Sequence, residues 1–453
     1  MIHEKTYYFE EAPVSKAIAH FGVPTMIGMF VFILYNLVDT FFVGMLGDYN
    51  MLAGVALAMP LFTINMGIGN LFGAGCGSYI SRLLGKKDGR TVRQTSAFAF
   101  YGILVVGVVV TGLGFLFFNP ILSVLGASGD TLGPTRQYAA VMIAGSIPCI
   151  LSFAMGQIIR SEGAAKASMT GSIIGTVSNI ILDPICIFGL GWGVAGAAIA
   201  TVAANVLAVT YYLLYQLRKS ENLSLQLRDF VLSREITGSV LAIGFPVFLL
   251  DFITIASGLT LNHITASYGG VYVAVYGVIF KLGMLPKALS RGLCQGVQPM
   301  IGYAYGAGLT MRLRKTVQLA GLYSTLITVF FVSVIFITGG SILKIFNSEP
   351  EFIAAGIPLL RISLVSYLTL GTAFIIDSLF QATGMAVPAT VMSIVQGAIF
   401  IPIALLTSSM YGLYGFAWAL PAADLVTLLL GMVLFLFYKK SLYGERDNVM
   451  MQK

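Results

Sequence analysis

The chain has 453 residues, 57% of them hydrophobic and 10% charged, with a mean hydropathy of +0.89, and this is more apolar side chain than a soluble core could bury. Lipid is therefore the solvent for much of it. Unpaired backbone amides are costly in hydrocarbon, so the spanning elements must be helices or a closed barrel. The formal net charge of +7 is spread over short loops between apolar runs, which excludes a nucleic-acid partner and makes the basic residues a topology signal.

The first residues carry Glu4, Lys5, Glu10, Glu11 and Lys16 with no early apolar stretch, so no cleavable signal peptide is expected. The apolar runs that follow are each about 20 residues or longer, whereas barrel strands would show roughly ten residues of alternating polarity. The predicted class is an all-α membrane protein of about twelve spans. They start near Ile18, Met51, Gln94, Gly133, Ala167 and Trp192, then near Ile236, Val271, Thr316, Ile357, Ala386 and Tyr414. Four cysteines, Cys76, Cys149, Cys186 and Cys294, fall inside apolar runs without metal or redox spacing and read as small buried hydrophobes.

Basic residues cluster after even-numbered spans: Arg82, Lys86, Lys87, Arg90 and Arg93 after the second, Arg218, Lys219, Arg228 and Arg234 after the sixth, Arg312, Arg314 and Lys315 after the eighth. Lys439, Lys440, Arg446 and Lys453 close the chain. The opposite loops hold chiefly Asp48, Asp130, Glu349 and Glu351, with Arg136, Lys344 and Arg361 as exceptions. Such a bias places both termini in the cytoplasm and the protein in the plasma (inner) membrane.

The halves echo one another. Phe21-Gly22-Val23-Pro24 returns as Ile243-Gly244-Phe245-Pro246, and Gly85 to Arg93 as Gly306 to Arg314. Gly191 to Gly196 likewise returns, shifted by about one residue, as Met410 to Gly415. Because each half has an even number of spans, this is a parallel repeat, an architecture of transporters. The expected division is an N-terminal six-helix lobe over residues 1–219, a cytoplasmic linker at 220–234 and a C-terminal six-helix lobe over 235–453, two pseudo-symmetric bundles.

Ionisable groups at membrane depth cost roughly 2.5–3.5 kcal/mol on insertion scales, so each is a functional candidate. Tyr35 and Asp39 share a face of the first span, and Asn179 and Asp183 have the same spacing in the fifth. Pro184 follows directly and deprives the Ile180 carbonyl of its helical donor, which puts a carboxylate beside a freed carbonyl, a cation-binding geometry. Thr201 adds a hydroxyl from the sixth span, while Pro24 and Pro246 allow the first and seventh helices to bend. Two carboxylates in one site, Asp39 and Asp183, would hold a single proton or one small cation between them. The bland alternative is that they only join helices by hydrogen bonds. In the second half, Asp251, Asp377 and Asp424 accompany Lys281, Lys287 and Arg291. Acid and base together suggest internal pairing, for instance Lys281 with Asp251 or Asp377, that lowers the insertion cost rather than a direct role with substrate or ion. His20 and His263 lie near span ends without a second ligand at metal spacing and read as helix contacts.

With these residues in view, the chain resembles the multidrug and toxic compound extrusion (MATE) family, and within it the MepA-like branch. The resemblance is carried by Leu34 to Asp39, Ser78 to Gly85, Asn179 to Pro184 and Gly193 to Thr201. It implies a V-shaped pair of six-helix bundles that alternates between outward- and inward-facing states and exports cationic, aromatic drugs and dyes in exchange for protons or sodium. It also implies a first-lobe cation site to which Tyr35, Asp39, Asn179, Asp183 and Thr201 correspond. Another branch carries an acidic residue where this chain has Thr254, so coupling is placed in the first lobe. No cofactor is expected, no metal beyond a sodium ion at Asp39/Asp183, and no partner other than small molecules and membrane lipid; the chain is expected to act as a monomer. The nearest rival is a lipid-linked precursor flippase of the same superfamily, whose cavity would need more basic residues than Lys281, Lys287 and Arg291. An enzyme is disfavoured because no HExxH, GxSxG or P-loop motif is found. The twofold repeat argues against a channel.

Overall fold

The computed structural model describes residues 2–443, and Arg446 and Lys453 of the basic C-terminus lie outside them. Helices account for the regular structure, and no strand occurs among the described residues. A short α1 (Ile2–Glu10) precedes α2 (Val14–Gly44), α3 (Tyr49–Gly85) and α4 (Gly89–Leu116). The short α5 (Phe118–Val124) leads to α6 (Leu132–Ala144), α7 (Ser146–Ser161), α8 (Ala165–Pro184) and α9 (Gly193–Arg218). The second half comprises α10 (Arg234–Tyr268), α11 (Gly270–Gly306), α12 (Thr310–Phe346), α13 (Pro350–Thr383), α14 (Ala386–Ala398) and α15 (Phe400–Tyr443).

Among the described residues ten helical segments are long and apolar enough to cross a membrane, or eleven when α6 and α7, bent by 57°, are counted as one span. The run Ala386–Tyr443 is 58 residues, roughly 90 Å if it were one straight helix and far more than one bilayer requires. Gly412, at φ 61 and ψ −144, breaks it, because only a residue without Cβ adopts that conformation readily. Divided at Gly412, this run is long enough for two crossings, which brings the ten or eleven candidate spans among the described residues close to the twelve expected from hydropathy.

Helix boundaries follow local chemistry. Asp48 caps α3 by accepting the Asn50 N–H at 2.8 Å, and Asp88 caps α4 through the Thr91 N–H at 3.1 Å. Gly384, in the left-handed region, ends α13 by donating to the Gln381 and Phe380 carbonyls.

The described chain packs as two compact units, one made of the chain up to Met26 together with Leu249 onward, the other of Ile27–Phe248. The changeovers fall inside α2 and α10, three residues after Pro24 and three after Pro246. The Ile27–Phe248 unit is centred on Ile80, Ile103, Ile150, Met155, Ile159 and Tyr212. Residues 220–234 are tied into it: Tyr101 donates to the Leu225 carbonyl at 2.9 Å, and the Ser224 N–H donates to Ser96 Oγ at 2.8 Å. In the other unit α11, α12, α13 and α15 pack together around Val297, Met300, Phe380 and Phe416. There α1 is fixed by Phe9 stacked on Tyr303 at 4.5 Å, by Tyr303 donating to Glu10 at 2.6 Å, and by Arg312 donating to the Tyr8 carbonyl at 2.9 Å. His20 stacks on Tyr8 at 3.7 Å, a helix contact. All four cysteines are buried and free.

Candidate functional site

The Ile27–Phe248 unit buries an oxygen-rich cluster contributed by four helices. Asp39 comes from α2, Asn179 and Asp183 from α8, Thr201 from α9 and Tyr138 from α6, and all five are buried. Asn179 Nδ2 donates to Asp183 Oδ1 at 3.2 Å and lies 3.4 Å from Thr201 Oγ1, so the amide ties α8 to α9. Asp39 and Asp183 lie within electrostatic reach of each other. Tyr35, one turn before Asp39, is half-buried and comes against Thr201.

Local backbone explains how α8 and α9 meet here. After Pro184 the chain does not continue as an α-helix but winds into a π-helical turn over Ile185–Gly189. Proline cannot donate, and a wider turn is one way the chain accommodates the loss, often at functional positions. Gly196 lets α9 start against this turn, because a Cβ there would stand 2.6 Å from the Cys186 carbonyl oxygen. That close approach sets Thr201 beside Asn179.

Three buried acceptors of the cluster, Asp39 Oδ1, Asn179 Oδ1 and Asp183 Oδ2, have no donor among the described residues. An unsatisfied buried acceptor costs about 1–3 kcal/mol, and more when charged. Three such oxygens in one buried cluster make it favourable for that cluster to take up positive charge or a proton. Because every candidate donor atom is oxygen, the set fits a proton or a hard cation rather than a transition metal, which would be held by nitrogen or sulfur. Apolar neighbours, among them Val43, Ala58, Met142, Ile187 and Val194, pack around Tyr138 and keep the cluster in a low-dielectric setting.

Sequence reading missed Tyr138. Its phenol faces Asp39, Asp183 and Thr201, yet nothing in the Thr135-Arg136-Gln137-Tyr138 start of the fourth span marks it beyond a tyrosine where an amphipathic residue is at home.

In the other unit two buried acids each have a cation from α11 beside them. Asp377 accepts from Gln381 at 2.9 Å, Gln298 donates to Gln381 at 3.2 Å, and the nearby cation is Arg291. Asp424 accepts from the Ser366 hydroxyl and has Lys287 as its cation. The cation acting on Asp377 is Arg291 and not the Lys281 suggested for it from sequence, while Lys281 is exposed and Asp251 is half-buried in α10. Arg291 lies one turn after Lys287 on α11, on the same face, and this spacing brings the two cations to α13 and α15. No group of three His, Cys, Asp or Glu that could hold a metal ion is found among the described residues.

Comparison with known proteins settles the family. The MatE family model matches twice, at residues 24–185 and 246–406, once in each half and opening each time on the proline that precedes a changeover between units. The chain belongs to the MatE family. It is 36% identical over 452 residues to the multidrug export protein MepA of Staphylococcus saprophyticus, covering 99% of this chain and 100% of that protein. With MepA of Staphylococcus aureus it shares 36% identity over 434 residues, 96% of each chain. A solved structure described as the outward-facing conformation of a multidrug resistance MATE family transporter of the MOP superfamily superposes with a TM-score of 0.90 at 26% identity, over 97% of this chain and 98% of that one. As a MatE protein the chain is a multi-pass membrane transporter and not an enzyme, and the chemistry of the site has to be read as binding and release.

Proposed function

We propose that this MatE protein exports cationic, amphipathic drugs and dyes by exchange for a proton or a sodium ion held at Asp39 and Asp183. The observation that carries the reading is the trio of unsatisfied buried oxygens, Asp39 Oδ1, Asn179 Oδ1 and Asp183 Oδ2, within one cluster. A site that lacks one positive charge is stable only when loaded, so loading and unloading change the energy of whatever conformation encloses it. An ion shifts a conformational equilibrium only by the difference in its affinity for the two states. Asp39 is well placed to make that difference, because α2 carries it and passes from one packing unit to the other just after Pro24. Neutralising Asp39 thus acts on a helix that belongs to both units. In this reading a charge change at Asp39/Asp183 bends α2 near Pro24 and releases substrate to the outside, with Tyr35, Asn179 and Thr201 shaping the ion site. The Asp377 and Asp424 clusters, each supplied with its own cation from α11, hold helices together.

The relatives' names support the substrate class, since both are multidrug export proteins. The positive-inside bias supports an inner-membrane location with both termini cytoplasmic, and the self-contained cluster supports a monomer as the working unit. The test is dye efflux from cells carrying Asp39→Asn or Asp183→Asn at matched membrane abundance. Each variant is expected to fall to the level of cells without the protein. Normal export by both would remove the proposal.

A further inference from the structure

Lys344 and Arg361 run against the charge bias of the chain, since they sit at the end of α12 and the first turns of α13, remote from the basic residues Arg312, Arg314 and Lys315 at the start of α12. A cavity of about 390 Å³ lies between these two helices, and both cations line it. Its walls are Phe336, Ile337, Ile353 and Ile357, and Gly339 and Gly340 contribute no side chain to fill it. That volume is within the roughly 300–1,000 Å³ of small-molecule sites. Ile337 is 81% exposed and Ile345 is 82% exposed, so the surrounding surface is one that acyl chains cover in a membrane.

Among the described residues neither cation is held in an ion pair, although Glu349 and Glu351 are close in sequence. Arg361 is instead stacked over the Phe336 ring at 5.0 Å, which fixes its guanidinium at the cavity mouth. Snorkelling accounts for a lone cation near a span end. It does not account for two cations lining one cavity whose other walls are largely apolar side chains. We propose that this cavity binds an anionic phospholipid, with the phosphate between Lys344 and Arg361 and the first acyl methylenes against Phe336, Ile337 and Ile357. Basic pockets between membrane helices select anionic headgroups in this way, and each surface cation adds about tenfold or less to the preference.

Native mass spectrometry of the full chain in detergent, titrated with phosphatidylglycerol or phosphatidylcholine of the same acyl chains, tests this. The wild type should retain phosphatidylglycerol at least about tenfold more tightly. The double variant Lys344→Gln/Arg361→Gln should lose that preference. Gly340→Leu keeps both charges and fills the cavity, its Cβ standing an ordinary 3.7 Å from Ile357, and should lower retention of both lipids. This arm keeps the proposal falsifiable should the double variant fail to fold. Free glycerol 1-phosphate should not displace the lipid. A preference unchanged by the double variant, full retention by Gly340→Leu, or displacement by glycerol 1-phosphate at matched concentration would each overturn the assignment.

Discussion

Tyr138 illustrates what a single residue contributes once the fold has placed it. Its hydroxyl faces two carboxylates and the Thr201 hydroxyl, while its ring is part of the apolar packing around them. Tyr138→Phe therefore removes one oxygen and keeps the packing. A hydrogen bond of this kind is worth about 0.5–1.5 kcal/mol net, so transport at saturating dye should fall roughly three- to tenfold without loss of protein from the membrane. Rates in vesicles normalised to protein amount measure this, and an unchanged rate would exclude Tyr138 from the site. Asp39 and Asp183 were legible without the fold because a carboxylate amid hydrocarbon carries a large insertion cost. Tyr138 was not, because tyrosine is as comfortable in a core as at a polar site.

Among the elements, α4 has a cap whose worth depends on pH. Thr91 donates to Asp88 through its N–H at 3.1 Å and its hydroxyl at 2.7 Å, and these bonds hold the half-buried Asp88 carboxyl below the usual carboxylate range. A depressed folded value means that the cap's stabilisation is complete above the unfolded value of about 3.9 and is lost as pH falls through the folded one. Asp88→Ala should cost about 1 kcal/mol at neutral pH. The melting-temperature gap between the two proteins in detergent should stay constant near neutrality and close on acidification below about pH 4. A gap that widened in acid would contradict the sign. The α1 helix shows the opposite case: Tyr7-Tyr8-Phe9-Glu10 has no strong helical period, and it is ordered by docking on Tyr303 and Arg312.

For the molecule as a whole, the proposed antiport predicts saturable flux that follows an imposed gradient. Vesicles given a pH gradient and a sodium gradient in separate experiments should accumulate dye uphill under at least one of them, and Asp39→Asn should abolish that response. Equal flux with and without both gradients would defeat antiport. The same scale shows where sequence stops. The long apolar helices were legible to within several residues because hydrocarbon imposes length and apolarity on every crossing helix. Even the break at Gly412 fell beside the expected twelfth span near Tyr414. The prolines Pro24 and Pro246 marked where α2 and α10 could bend, but that the chain changes packing unit three residues after each was not legible, since both helices run on as apolar segments through those points.

What the sequence determined by itself was the solvent, the secondary structure and the polar residues that hydrocarbon makes costly, for these are properties of single residues and of short runs. Only the tertiary structure decided that Arg291 and not Lys281 stands by Asp377, that Tyr138 joins the carboxylates, and that Lys344 and Arg361 line one cavity. Each of these depends on which faces of distant helices come together, and helix–helix packing is set by close fit between side chains far apart in the chain, which local periodicity does not encode.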